Sequence, residues 1–124
     1  MRLSEQLQIS TLTELAGFPV APGVLGRPLF GRELMFNLLE FEPGAIVPLH
    51  DHPHEQFGLV LEGELIFVQE DGSERVLGPD AVYAIPGGMP HEGRAGEQGA
   101  RVLDVFTPVR EDYRERFTAH RGGS

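Results

Sequence analysis

Residues 44–63 read GAIVPLHDHPHEQFGLVLEG, and this stretch decides the fold of the chain. His50 and His52 lie two residues apart, so on a β-strand both imidazoles would leave the same face. Gln56 follows four residues after His52, and His91 ends a second stretch, IPGGMPH, far along the chain. Neutral imidazole is the commonest metal ligand. A His-x-His pair with a distant third His therefore indicates a mononuclear metal site in a β-barrel.

The composition is that of one globular domain without a nucleic-acid or membrane partner. The chain has 124 residues, no cysteine and a net charge of −9. The absence of cysteine excludes disulfides and thiolate metal sites, and it agrees with a cytoplasmic location. The acidic balance argues against nucleic-acid binding, which needs a basic surface. No stretch approaches the roughly 20 apolar residues of a membrane span.

Glycine and proline recur along the whole chain, with 16 and 10 copies, and predict many short strands separated by turns. A short helix is predicted over residues 4–16, with Ser4 as its N-cap. Gly63 interrupts the longest apolar run, where we expect a bend or bulge. A helical turn on the surface is predicted over residues 111–117. Strand signals dominate from residue 34, over 34–41, 45–50, 57–69, 74–77, 81–86 and 100–106.

Two segments resemble the paired signatures of the cupin superfamily, the small jelly-roll barrels. In the first, Gly44, His50, His52 and Gly63 are in register with the family pattern. The family's glutamate is replaced by Gln56, because Glu55 comes one residue too early. A Gln side-chain oxygen can nevertheless fill a metal coordination position.

The second signature, Pro-x-Gly followed by His, is carried by Pro86, Gly88 and His91. Asp80 stands where the family has a glycine. The resemblance implies an all-β fold, a cupin-type double-stranded β-helix (jelly-roll) barrel with short N-terminal and C-terminal helical segments. We expect three parts: an N-terminal segment over 1–30 that packs on the barrel or on a dimer partner, the cupin barrel over 31–110, and a helical tail over 111–124.

The resemblance also implies one divalent transition metal ion per chain (nickel, zinc, manganese or iron), held by His50, His52, Gln56 and His91. This ligand set is neutral, so the metal would keep its full charge for Lewis-acid work on a carbonyl or carboxylate. The set differs from the two-His, one-carboxylate triad of non-haem iron oxygenases. We place His54 at the barrel rim because Pro53 ends strand pairing.

The stretch VLDVFTPVRED adds three further candidates near the C-terminus. Asp104 and Phe106 share one strand face, which either lines the cavity or faces solvent. An inward Asp104 would be a candidate acid or base, since burying an unpaired carboxylate is costly. Arg110 either continues this series or belongs to the terminal helical turn.

Three stretches (HPHEQ, PGVLGRPLFG and LDVFTPVRED) are similar to one cupin subgroup, the pectin-degradation cupins that open unsaturated uronate rings. That resemblance implies that Asp104, Phe106 and Arg110 belong to the active site of a metal-dependent isomerase or lyase. The substrate would be a 4,5-unsaturated monouronate and the product a linear keto acid.

Two other functions are compatible with the same barrel. One is a non-haem iron dioxygenase, which oxygen consumption would distinguish from ring opening. The other is a non-catalytic module that binds a sugar or another small molecule, which would bind its ligand without turnover. In each case we expect a homodimer in which the segment 1–30 shields an edge strand.

Overall fold

The structure is a computed structural model that describes residues 6–121. Within this range it consists of short antiparallel strands followed by one α-helix. The elements are β1 (Phe18–Ala21), β2 (Val24–Phe30), β3 (Met35–Phe41), β4 (Ile46–His50), β5 (Glu55–Gln69), β6 (Glu74–Leu77), β7 (Val82–Ile85), β8 (His91–Thr107) and α1 (Glu111–His120). No helix in this range is long and apolar enough to cross a membrane.

The two longest strands, β5 and β8, pair with each other along most of their length and organise the sheet. The strand order is β1-β2-β3-β8-β5-β6, with β4 paired to β8 and β7 paired to β5. On its other edge, β5 pairs first with β7 and then with β6, and β8 pairs first with β4 and then with β3. This arrangement, antiparallel throughout, confirms the predicted all-β jelly-roll fold of the cupins.

The bend predicted at Gly63 is confirmed. The register between β5 and β8 shifts on either side of this residue, and its φ of 75° lies in the left-handed region. A Cβ atom at Gly63 would fall on the Gly99 carbonyl oxygen and against the Ala100 backbone. Glycine is thus required here both by the backbone conformation and by the close approach of β8, and it lets β5 serve two partners.

The inner face of the sheet carries a core that is apolar except near the candidate site. Side chains alternate along β8, where Val102, Asp104 and Phe106 are buried and the residues between them are half-buried. The buried apolar cluster comprises Phe18, Val20, Val24, Met35, Leu39, Phe41, Val60, Leu65, Ala95, Ala100, Val102, Phe106, Val109 and Tyr113. The burial of Asp104 settles the orientation that the sequence left open.

The helix predicted over residues 4–16 is wrong in the part that the structure describes. Residues 6–17 are irregular there, apart from a 3-10 turn at Leu12–Glu14. Leu7 and Ile9 are 88% and 86% exposed, so a helix in this segment would have no buried apolar face to stabilise it. Ser4, the predicted N-cap, lies outside the described residues.

The sequence also missed β1 and β2, because their prolines and glycines argue against strands. The sheet tolerates the prolines since β1 lies at its edge and Pro28 lies beyond the end of β1. Both strands lie within the segment 1–30, and β2 pairs with β3 along Val24–Phe30. The division of the chain at residues 30 and 110 stays a prediction.

Two elements extend further than predicted. β8 begins at His91 instead of residue 100, because the polar sequence HEGRAGEQG hides this half of the strand from hydrophobic patterning. The terminal helical turn becomes α1, which is not only a surface feature. Its Tyr113 is buried, and Tyr113 and Phe117 pack edge-on against Phe18 with ring centroids 5.6 and 6.1 Å apart.

Candidate metal centre

Three histidines converge where β4 meets β8. His50, the last residue of β4, lies opposite His91, the first residue of β8. His52 lies beyond the end of β4, so the two residues of the His-x-His pair do not share a strand face as expected. One ring nitrogen from each histidine nevertheless lies within 4.8 Å of the other two. The three imidazoles could therefore hold one metal ion.

Each of the three rings is anchored through Nδ1 to a backbone carbonyl two residues away. The distances are 2.7 Å from His50 to the Pro48 oxygen, 3.1 Å from His52 to the His54 oxygen and 2.8 Å from His91 to the Met89 oxygen. A carbonyl only accepts, so Nδ1 must carry the proton in these hydrogen bonds. In a neutral ring with this tautomer, Nε2 keeps its lone pair, which is the form that binds a cation.

Gln56, on β5, brings a fourth donor atom to the cluster. Its Oε1 lies 3.0 Å from His52 Nε2. Burial, followed by the positive charge of Arg110, lowers the pKa of His52 to about 4, so at neutral pH this ring has a single N–H. Both of its nitrogens face oxygen acceptors, and one of the two contacts lacks a proton. A cation next to Nε2 and Oε1 would satisfy both lone pairs.

The chemistry of the four donor groups agrees with a shared metal ion. Three imidazole nitrogens and one amide oxygen are all neutral ligands of the borderline type that suits divalent first-row metals. The residues present therefore fit a divalent transition metal ion, with Gln56 as the fourth candidate ligand.

Asp104 lies on the inner face of β8 and is 3% exposed. It accepts a hydrogen bond from the Tyr83 hydroxyl. Burial raises the pKa of Asp104 to about 6, although the hydrogen bonds from Tyr83 and Gln56 and the charge of Arg110 act in the opposite direction. A carboxyl group with this pKa can both accept and donate a proton near neutral pH.

Arg110 is 7% exposed and lies in the turn before α1, so it does not continue the Asp104 series on β8. Its guanidinium stacks on the Tyr113 ring at 3.7 Å and lies 5.1 Å from the centre of the Phe106 ring. Asp112 accepts two hydrogen bonds from it, at 3.2 Å from Nε and 2.7 Å from Nη2. The cation is thus held in one place beside Phe106, whose ring centre is 5.6 Å from that of His52.

An inner cavity of about 30 Å³ joins these groups; His50, Gln56, Tyr83, His91, Asp104, Phe106 and Arg110 are in its lining. It has room for only a few non-hydrogen atoms beside the ligands. On the other side of His52 and Arg110 lies an outer groove of about 620 Å³, which is within the size range of small-molecule sites. The outer groove is lined by Arg32, Asp51, His52, Pro53, His54, Pro108, Val109, Arg110, Glu111 and Asp112.

Three other polar residues lie outside the three-histidine cluster, although the ring centre of His54 is only 5.6 Å from that of His52. His54 is half-buried in the outer groove, and Glu55 is exposed at the start of β5. His120 is exposed at the end of α1. Tyr83, by contrast, lines the cavity and was missed by the sequence analysis. The alternation in VYAI could have revealed it, since it places Tyr83, which is half-buried, on the same strand face as the buried Ile85.

Comparison with known proteins places this arrangement in a family. The family model described as a cupin domain matches residues 37–106. The chain is 32% identical over 82 residues to the pectin degradation protein KdgF of Dickeya dadantii, an alignment that covers 65% of this chain and 74% of that protein. The solved structure of KdgF from Halomonas sp. superposes with a TM-score of 0.74 and 30% identity, over 82% of this chain and 94% of that one.

A second relative carries a different name. The chain is 33% identical over 81 residues to the dimethylsulfoniopropionate lyase DddQ of Ruegeria pomeroyi. The match covers 65% of this chain but only 40% of that protein, so the chain spans less than half of its length.

Replacing His50 tests the metal centre. We expect His50→Ala to abolish stoichiometric metal binding, because the site would lose one of its three imidazoles. The measurement is metal content per chain after dialysis, by plasma mass spectrometry. His120→Ala is the matched control, since this exposed histidine lies outside the cluster. Stoichiometric metal in the His50→Ala protein would exclude His50 as a ligand.

Asp104 is expected to make the stability of the metal-free protein depend on pH. The folded-state pKa of Asp104, about 6, lies above its ordinary 3.8. Its contribution to the free energy of unfolding is therefore fully present below about pH 4, where the carboxyl group is protonated in both states. That contribution is lost as the pH rises through 6. The free energy of unfolding of Asp104→Asn minus that of the wild type should therefore increase by about 2–3 kcal/mol between pH 4 and pH 8, because only the wild type loses this contribution. Urea unfolding at both pH values measures this gain. A difference between the two proteins that is the same at both pH values would contradict the assignment.

Proposed function

The chain belongs to the cupin family, and from that premise we propose that it is a metal-dependent enzyme that opens the ring of a 4,5-unsaturated monouronate to give a linear keto acid. The observation that carries the proposal is the convergence, around one cavity, of four neutral donor atoms, a buried carboxyl group and a buried guanidinium. The similarity to two KdgF proteins, one of them named for pectin degradation, supports this choice of substrate.

His50, His52, Gln56 and His91 would hold the metal, with nickel, zinc, manganese and iron all compatible with these ligands. A divalent ion bound there would supply Lewis-acid polarisation of substrate oxygen atoms. The four ligands contribute no negative charge, so an anionic substrate meets a net positive centre in an otherwise acidic protein. This electrostatic contrast favours a carboxylate-bearing substrate.

Asp104 would move the proton that ring opening requires. In a 4,5-unsaturated uronate, loss of the proton on the C1 hydroxyl lets the C1–O5 bond break with its electron pair leaving on O5, which gives an aldehyde at C1 and an enolate at C5. Return of the proton to C4 converts the enolate to the ketone. One carboxyl group can therefore take up and return the same proton, and the reaction consumes neither water nor oxygen. A pKa near 6 suits both steps.

Arg110 would bind the substrate carboxylate, and Phe106 would pack beside it. The guanidinium lines both the inner cavity and the outer groove. The inner cavity has space for only a few atoms of a sugar, and the outer groove, which shares Arg110 with it, is the larger space beside it. Two hydrogen bonds from Asp112 and the Tyr113 ring keep the guanidinium in place before substrate arrives, which reduces the ordering cost of binding.

The test is turnover of 4,5-unsaturated galacturonate by the metal-loaded protein, followed by loss of the ultraviolet absorbance of its conjugated double bond. We expect Asp104→Ala to retain the metal and to lose about 10²–10⁴-fold in kcat, because the proton carrier is absent. Wild-type turnover by Asp104→Ala would remove its role. An oxygen electrode in the same assay separates ring opening from a dioxygenase, and ligand binding without turnover would indicate a binding module instead.

We further propose that the chain forms a homodimer through the outer face of β7, β5 and β8. Across these strands Phe57 lies between Ala84 and Val105, and Leu59 lies between Val82 and Leu103. Phe57 is 54% and Val82 72% exposed. These six side chains form an uncharged patch, with Glu55 and Arg101 at its ends on β5 and β8, so two chains of net charge −9 can meet there without burying a charge. Apolar sheet faces pack on one another as in β-sandwiches.

Sedimentation of the wild type should therefore give a dimer, and Phe57→Glu/Val82→Glu should give a monomer, because two buried charges per chain would lie unpaired in the interface. Val76→Glu is the matched control. Val76 is also exposed, at 59%, but it lies on β6, away from this face, and its replacement should leave the dimer intact. A monomeric wild type would contradict the proposal.

A further inference from the structure

One row of residues across the sheet joins three strands inside the cavity. Gly58 on β5 is the direct partner of Tyr83 on β7 and of Asp104 on β8. Tyr83 and Asp104 both line the inner cavity. Their backbones are two strand spacings apart, about 10 Å. A tyrosine can bridge this distance only if the residue between them leaves its path free.

Gly58 leaves that path free. A Cβ atom built on Gly58 would fall on the Tyr83 ring, against Cζ, Cε2 and the hydroxyl oxygen. Gly58 is not among the glycines with positive φ, so its backbone conformation does not demand glycine. Position 58 therefore requires glycine because a larger residue would collide with the phenol ring of Tyr83.

The phenol is held at both ends. Its hydroxyl donates to Asp104 Oδ1, and its ring packs edge-on against Phe67 with centroids 4.6 Å apart. Asp104 lies opposite Gly58 on β5, in the row next to Gln56, one of the candidate metal ligands. The carboxyl group thus has one oxygen fixed by Tyr83, and it lies between the phenol and the metal centre.

A structural role alone does not explain this pair. Desolvating a hydroxyl group and a buried carboxyl group costs free energy, and their mutual hydrogen bond offsets only part of that cost. Phenylalanine at position 83 would fill the same slot over Gly58, but it would leave Asp104 Oδ1 without the donor that orients it.

We propose that Tyr83 is a positioning residue for Asp104, and that Gly58 is the residue that permits it; this inference rests on the role of Asp104 in the proposed function. The hydrogen bond to Oδ1 stops the carboxyl group from rotating, so the same second oxygen faces the substrate in each turnover. Tyr83 itself does not exchange the substrate proton. It fixes the orientation in which Asp104 exchanges that proton.

The chain allows a direct spectroscopic test, because it contains no tryptophan and only two tyrosines, Tyr83 and Tyr113. A phenol hydrogen-bonded to a carboxylate is a weak emitter. In the metal-loaded full chain, Asp104→Asn and Gly58→Ala should each raise tyrosine emission, and neither should do so once Tyr83→Phe is present. Tyr113→Phe is the control and should leave the response to Asp104→Asn intact.

In the turnover assay, Tyr83→Phe should lower kcat about 100-fold, the scale of an orientation error of about 1 Å, with KM and metal content unchanged. Gly58→Ala should have a similar effect. Adding Gly58→Ala to Tyr83→Ala should change neither kcat nor the urea midpoint further, because the ring that it displaces is absent. If Gly58→Ala does not fold, Tyr83→Phe decides the kinetic question alone.

Wild-type kcat in Tyr83→Phe, or tyrosine emission that does not respond to Asp104→Asn, would overturn the proposal. If the wild type fails to turn over the uronate, the proposed function fails separately. The emission measurements then decide for or against the Tyr83–Asp104 coupling, since they need no substrate.

Discussion

The rest of the site depends on one constraint at the candidate metal centre. Donor atoms meet there with too few protons to form a hydrogen bond at every contact. His52 has two ring nitrogens that face oxygen atoms and, with its pKa lowered to about 4, a single proton at neutral pH. Every ring in the cluster uses Nδ1 for a backbone carbonyl. Nε2 of His52 therefore meets the Gln56 oxygen without a proton between them, and a cation would satisfy both lone pairs.

The long strands β5 and β8 place a candidate metal ligand and the buried carboxyl group next to each other. On β5 the alternating inward positions are Gln56 and Gly58, and opposite them on β8 lie Phe106 and Asp104. The metal ligand and the carboxyl group thus occupy adjacent rows of one rigid sheet. A helix that follows β8 directly then places Arg110, clamped by its own first turn, beside the same cavity.

The sequence predicted the jelly-roll and the bend at Gly63, because spaced histidines, glycines and apolar alternation are local signals. It could not decide whether Asp104 faces inward, since period two assigns a shared face but not its direction. It missed Tyr83 because the meaning of that residue depends on Gly58, a neighbour on another strand. It missed β1, β2 and the first half of β8 because sheet pairing there overrides the low strand propensity of proline and glycine.

The central claim is that the buried donor cluster holds a metal ion. The most direct measurement is the metal content per chain of protein purified without a histidine tag, by plasma mass spectrometry. The account predicts close to one equivalent of nickel, zinc, manganese or iron, either as purified or after dialysis against these ions. Protein that contains no metal and takes none up would contradict it, and the histidines would then be structural or would bind an organic ligand.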